Sequence, residues 1–199
     1  AEKAVPYAFK NASLLARALT HSSHAYESQP GSPMDNELLE LLGDSVVGLV
    51  AAEFYYEAFP DRTEGELSKL KSSAASTLAL SKFAQKIHLE RCVLLGRGEE
   101  KSGGRKKISI LAGAFEARVG AIYLDGGFEA ARGLVGRLLA PTLKPIGTGA
   151  FEINNYKSAL QELFQKADLP APSYRTLTAK GPEHRKTFTV EVLAGNKPL

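Results

Sequence analysis

The fifteen residues Asn36–Val50, NELLELLGDSVVGLV, limit what this chain can fold into more than any other stretch. Eight of them are Leu or Val, and the only charges are the acids Glu37, Glu40 and Asp44. On a helix turning about 100° per residue, spacings of three and four return to one face, so the three carboxylates share a stripe about 60° wide. Apolar residues cover most of the remaining circumference, which predicts a helix enclosed by other elements. Ser32-Pro33-Met34-Asp35 reads as its start, with Ser32 as N-cap, Pro33 at the first helical position and Asp35 in the first turn. Pro60 stops it, giving a helix about 40 Å long at 1.5 Å per residue. From Pro33 to Asp61 there is no Lys, Arg or His, so no cation at i±4 neutralises the acids. Burying unpartnered carboxylates costs several kcal/mol or raises their pKa. Two readings stay open: a solvated acidic edge, or a site that a cation from elsewhere completes.

The rest of the composition narrows the class. A length of 199 residues allows one large or two smaller domains, and 44% hydrophobic residues supply a real core. A net charge of +3 is compatible with nucleic acid as a partner. Cys92 is the single cysteine, which excludes an intrachain disulfide and a zinc site built on cysteine pairs. No apolar run approaches the ~18 residues of a membrane span. The start, AEKAVPYAFKNASLLARAL, has no signal-peptide core. A cytoplasmic protein without a membrane partner is expected.

Asn11–Leu19 reads as a short helix, and His21-Ser22-Ser23-His24 as polar loop residues rather than metal ligands. Thr63-Glu64-Gly65-Glu66 is a capping box that opens a helix, which gives Glu66 a structural task and leaves Glu64 less well explained. Leu67–Lys86 continues with one amphipathic pattern. LGRGEEKSGGRKK, residues 95–107, is glycine-rich and basic. It is either a flexible arm that touches phosphate or a solvated connector, and it lacks the Gly-Lys-Ser/Thr end of a Walker A loop. Ile108–Leu124 is a second apolar helix whose only acid is Glu116, thinned by Ala112, Gly113, Ala114, Ala117, Gly120 and Ala121 for close helix approach. Gly113 is costly there, since glycine in a helix interior loses about 1 kcal/mol relative to alanine. Asp125-Gly126-Gly127 ends that helix, and Phe128–Leu139 forms one more. PTLKPIGTGAFEIN, residues 141–154, has no periodicity and reads as an interdomain linker. Beyond it come a helix at Tyr156–Lys166 and strands at Ser173–Ala179 and Lys186–Leu193, joined by a turn at Gly181-Pro182-Glu183-His184. A helix and two strands cannot bury a core alone, so this second domain looks cut short at Leu199.

Taken in order, these segments resemble the ribonuclease III family. The match carries NELLELLGD at 36–44, TEGELSKL at 63–70, LGRGEE at 95–100, SILA at 109–112, FEA at 115–117 and GAIYLDGG at 120–127. YKSALQEL at 156–163 and GPEH at 181–184 are similar to the first half of a double-stranded-RNA-binding domain. The resemblance implies a mainly α fold: a helical endonuclease domain over residues 1–142, a linker over 143–154, and an incomplete RNA-binding domain of α-β-β-β-α type over 155–199. It implies an endoribonuclease that hydrolyses double-stranded RNA to 5′-phosphate and 3′-hydroxyl ends with short 3′ overhangs, in rRNA and mRNA processing. It further implies a homodimer in which each subunit's centre cuts one strand.

By the same resemblance Glu40, Asp44 and Glu116 hold Mg²⁺, with Mn²⁺ as a substitute; Asp44 and Glu116 are the catalytic pair, and Glu37 and Glu64 are accessory acids. Hard divalent cations prefer oxygen ligands, which agrees with the partnerless stripe. RNA contacts are expected from Ser158, Gln161, Glu162, Gln165 and His184, and from Arg97, Arg105, Lys106 and Lys107 in the basic loop. Three departures from the family pattern matter. Gly113 stands where the family usually has an Asp ligand, and the space left there is expected to hold water. Leu41 stands where many members have an aromatic residue that plugs into the partner subunit. The sequence stops before the third strand and basic last helix of the RNA-binding domain. Gly113 keeps a second reading open, a catalytically weakened or inactive duplex-RNA binder of the same fold. A di-iron bundle is disfavoured because its Glu-x-x-His pairs are missing.

Overall fold

A computed structural model of the chain describes residues 7–28, 35–143, 156–181, 186–195 and 197–198. The chain divides into two compact units, Ala1–Lys144 and Pro145–Leu199.

The first unit is helical: α1 (Ala12–Ala18), α2 (Ser22–Ser28), α3 (Glu37–Ala58), α4 (Glu64–Ala74), α5 (Thr77–Lys86), α6 (Arg97–Lys101) and α7 (Ile108–Leu139), with short 3₁₀ turns between. Its centre is the pairing of α3 with α7. Leu39, Val46, Val47, Val50 and Ala51 of α3 are buried, as are Leu111, Phe115, Val119 and Ile122 of α7. Small residues let the two backbones touch. A Cβ on Gly43 would collide with the carbonyl oxygen of Glu116, and a Cβ on Gly120 with that of Leu39. The thin face of α7 is used as expected, and it fixes which turns of the two helices face each other.

Several expectations are corrected. The α3 helix begins at Glu37, not Pro33; Ser32 and Pro33 lie outside the described residues, and Asp35 and Asn36 are bends. Asp35 Oδ1 accepts the Glu37 N–H at 3.2 Å, while buried Asn36 donates its backbone N–H to the Thr20 carbonyl at 2.9 Å, tying α3 to the end of α1. Nor is α3 fully enclosed by its own chain. Leu38, Leu41, Leu49 and Tyr56 are 64%, 68%, 58% and 72% exposed. At about 100° per residue they share a face about 80° wide that adjoins the acidic stripe, Leu41 lying one turn beyond Glu37.

The His21–His24 stretch enters a helix rather than a loop, because the His21 ring accepts the Ser23 N–H at 3.2 Å and caps α2. The single helix expected over Leu67–Lys86 is two. Ser76 breaks it, donating its hydroxyl to the Ser73 carbonyl at 2.7 Å and accepting the Ala79 N–H at 3.3 Å, so that it caps α5. The capping box is present: Glu66 Oε2 accepts the Thr63 N–H at 2.9 Å, and Arg62 donates to Oε1 at 2.6 Å. Those bonds, the Thr63 N–H first, hold the Glu66 carboxyl down at about 2. Gly127, at φ 80°, kinks α7 where the sequence places a helix end.

In the second unit α8 (Tyr156–Lys166) precedes an antiparallel sheet, β1 (Ser173–Lys180), β2 (Thr187–Ala194) and β3 (Lys197–Pro198), in that spatial order. The strand β3 pairs with Leu193 and Ala194, so the sequence reaches into the third strand, one step further than expected. Phe164 of α8 is buried, while Tyr174, Leu177, Phe188 and Val190 of the sheet are exposed. The residues of the 143–154 linker after Leu143 and the turn residues 182–184 lie outside the described residues.

Candidate active site

Glu37, Glu40 and Asp44 occupy the first three turns of α3, and Glu116 lies two turns into α7. The contact of Gly43 with the Glu116 backbone holds the acidic stripe against α7 at the height of Glu116. A glycine between two acids in a helix interior was the available signal for this approach, since only close packing offsets its helix cost of about 1 kcal/mol. Glu40 and Glu116 are half-buried; Glu37 and Asp44 are exposed.

Every influence on Glu40 and Glu116 opposes their charged forms. Burial, then the negative charges of Asp44 and Glu40, push the Glu116 carboxyl up to about 7. Burial, then Glu37 and Asp44, raise Glu40. Among the described residues no positive side chain relieves either group. A solvated edge would leave these carboxyls near their ordinary range, so the geometry favours the reading in which a cation completes the site.

Among the described residues no three His, Cys, Asp or Glu side chains are already drawn into metal-holding geometry. The donor set nevertheless fits a hard divalent cation, which takes carboxylate oxygens and completes its shell with water and phosphate oxygens. Glu64 stands aside: its carboxylate accepts the Ser68 hydroxyl at 2.8 Å on its own helix and does not figure among the charges acting on Glu40 or Glu116. The expectation that water fills the space beside Gly113 is corrected, because the Glu40 carboxylate lies there. A Cβ placed there would meet Glu40 Oε2 at 2.5 Å, Cδ at 2.8 Å and Oε1 at 3.0 Å.

The basic loop is folded rather than a flexible arm. Glu27 of α2 accepts the backbone N–H groups of Arg97 at 2.9 Å and Gly98 at 3.4 Å, which caps α6. Arg105 pairs with Glu100, through Nε at 2.8 Å, and donates Nη1 to the carbonyls of Glu90 at 2.7 Å and Val93 at 3.0 Å. Lys107 pairs with Glu99 at 2.6 Å. Arg105 and Lys107 are therefore engaged inside the chain, whereas Arg97 and Lys106 are exposed. On α8 Gln161 and Gln165 are exposed; the side chains of Ser158 and Glu162, and His184, lie outside the described residues. Asp125, read in the sequence only as part of a helix end, accepts the backbone N–H groups of Lys10 at 2.8 Å and Asn11 at 2.9 Å and the Tyr7 hydroxyl at 2.8 Å. It anchors the start of the unit beside the α7 kink.

Comparison with known proteins bears on the whole chain. A family model described as Ribonuclease-III-like matches residues 11–143, and one described as Double-stranded RNA binding motif matches residues 156–198. The Ribonuclease 3 of Treponema denticola is 49% identical over 189 residues, 95% of this chain and 76% of that protein. The Ribonuclease 3 of Solibacter usitatus is 47% identical over 206 residues, 98% of this chain and 76% of that protein. A solved nuclease domain of ribonuclease III from Campylobacter jejuni superposes with a TM-score of 0.63 at 39% identity, over 68% of this chain and 90% of that one.

Fold, site and similarity together define an endoribonuclease of double-stranded RNA. The chain belongs to the ribonuclease III family. That membership brings a divalent-metal requirement. Among the described residues no helix is long and apolar enough to cross a membrane.

Proposed function

We propose that Glu40, Asp44 and Glu116 together hold Mg²⁺, or Mn²⁺ in its place, and that Asp44 and Glu116 are the catalytic pair. The observation that carries this is Glu116, pushed up to about 7 by burial and by two neighbouring carboxylates, with no positive side chain among the described residues to offset them. Such a cation supplies charge stabilisation on the attacked phosphate and the leaving 3′ oxygen, and activates water for attack. The chain's own residues do the rest. Asp44, exposed at the mouth, faces incoming phosphate, while half-buried Glu40 and Glu116 form the floor. The packing of α3 on α7 through Gly43 and Gly120 keeps the floor in register. Glu37 adds negative charge that draws a cation toward Glu40, and Glu64, held by Ser68 on α4, is an accessory acid further out.

The products are 5′-phosphate and 3′-hydroxyl ends with short 3′ overhangs, made in the cytoplasm during rRNA and mRNA processing. Residues 1–142 carry cleavage and 155–199 carry duplex binding, with 143–154 as the linker. Ser158, Gln161, Glu162, Gln165 and His184 touch the minor groove, where duplex RNA is read by shape and 2′-hydroxyl groups. Arg97 and Lys106 meet phosphate; Arg105 and Lys107 act mainly by holding the loop that presents them. The exposed face of Leu38, Leu41, Leu49 and Tyr56 pairs with a second copy, Leu41 included. In support, the Campylobacter jejuni nuclease domain is described for structural flexibility in its region involved in dimer formation. A weakened duplex binder is the second reading, favoured by the missing side chain at Gly113.

Incubation with a long perfect RNA duplex decides between them. Short duplex products with Mg²⁺, abolished by EDTA and restored by Mn²⁺, are expected. Retention of the duplex intact at saturating Mg²⁺, with binding preserved, overturns the proposal in favour of the second reading.

A further inference from the structure

Glycine is a poor helix former, yet Gly113 stands inside α7, three residues before Glu116. What occupies the space beside it explains why. A Cβ there would meet all three atoms of the Glu40 carboxylate, at 2.5, 2.8 and 3.0 Å. The carboxylate therefore lies against the bare backbone of α7, reaching across from α3. In that seat Glu40 adds to the field on Glu116 and lies within the field of Asp44. A helical residue at 113 projects onto the same face as Glu116, because residues three apart are neighbours on a helix.

We infer that Gly113 is a positioning residue: its missing side chain gives the Glu40 carboxylate a place against α7, on the helix that carries Glu116, from which Glu40 takes its share in holding a divalent cation with Asp44 and Glu116. The inference rests on the site reading above and deepens it. Residue 113 is not an absent ligand whose place is left to solvent. Its place is taken by an acid from the facing helix, so a three-carboxylate site covers the ground of four. The displaced atoms in any 113 variant are the far end of a flexible side chain, so the helix pair itself need not move. Alanine at 113 pushes the carboxylate off and puts nothing in its place. Aspartate at 113 also pushes it off but brings a carboxylate of its own to the same spot.

The test is Mn²⁺ binding to the full chain without RNA, followed by loss of the free-ion electron paramagnetic resonance signal. Circular dichroism of each variant checks the helices. Glu40→Ala is expected to weaken Mn²⁺ binding roughly tenfold or more, and Gly113→Ala to weaken it by a similar factor. Glu40→Ala combined with Gly113→Ala should be no weaker than Glu40→Ala alone, because the new Cβ then has no carboxylate to displace. Gly113→Asp should bind at least as tightly as the parent. If Glu40→Ala binds like the parent, the metal-site reading and this inference fall together. If Glu40→Ala weakens binding and Gly113→Ala does not, only the inference is overturned. Additive losses in the double variant overturn it too, since Gly113 would then act through something other than Glu40.

Discussion

Glu116→Gln separates what the site costs the fold from what it gives the reaction. Gln keeps the shape of Glu and cannot ionise. In the folded chain the Glu116 carboxyl is pushed from 4.5 up to about 7, first by burial and then by Asp44 and Glu40. Below pH 4.5 the folded and unfolded chains both hold this proton, and the group costs nothing. Between pH 4.5 and 7 the folded chain holds it more tightly than the unfolded chain, so stability falls as pH rises. Above about pH 7 the full cost is present. A shift of that size sets an upper limit of roughly 3 kcal/mol. Glu116 is only half-buried, and solvent screening reduces the figure to about 1–2 kcal/mol. Urea unfolding in EDTA should therefore show Glu116→Gln more stable than the parent by about that amount at pH 8, and nearly equal to it at pH 4. Added Mg²⁺ should stabilise the parent and narrow or reverse the gap, since an ion bound only to the folded state raises its stability. Cleavage should drop by orders of magnitude with little change in RNA affinity, because the site's charge acts mainly on the transition state. A stability difference that is the same at pH 4 and pH 8, or a variant less stable at pH 8, refutes the picture of an uncompensated carboxylate. An unchanged cleavage rate refutes the role of Glu116.

Three further outcomes are expected. Gly43→Ala forces a Cβ into the Glu116 backbone and should cost about 3 kcal/mol or more, with loss of cleavage; parent-like thermal unfolding would mean that α3 and α7 do not approach as described. Leu41→Asp places a charge on the exposed face of α3 and should shift the sedimentation mass from dimer toward monomer; a parent protein that is already monomeric at micromolar concentration removes the interface. In the basic loop, Lys106→Ala should flatten the salt dependence of RNA binding by about one unit of slope without changing stability. Arg105→Ala should instead lower the urea midpoint, because the carbonyls of Glu90 and Val93 lose their donor; the reverse pattern would assign phosphate contact to Arg105.

The acidic stripe was legible in the sequence because helical periodicity alone puts Glu37, Glu40 and Asp44 on one face. The thin second helix, the capping box at Thr63 and the kink at Gly127 were legible for the same reason: each depends on a few neighbouring residues and on local backbone preference. Locality also explains the failures. Ser76 breaks a run whose apolar pattern continues through it, and the His21 cap turns a polar stretch into a helix; periodicity does not register a side chain that bonds its own backbone. The ion pairs of Arg105 with Glu100 and of Lys107 with Glu99 were not legible either, because a sequence shows a charge but not its partner. Which residues could bear the chemistry was thus fixed along the chain. Local pattern could not bring Glu116 to the stripe, which the resemblance alone implied; the tertiary structure sets its backbone against Gly43 and puts Glu40 in the space at Gly113. Both follow from two backbones meeting at glycines, and the distance between helices far apart in sequence is set by packing rather than by any local pattern.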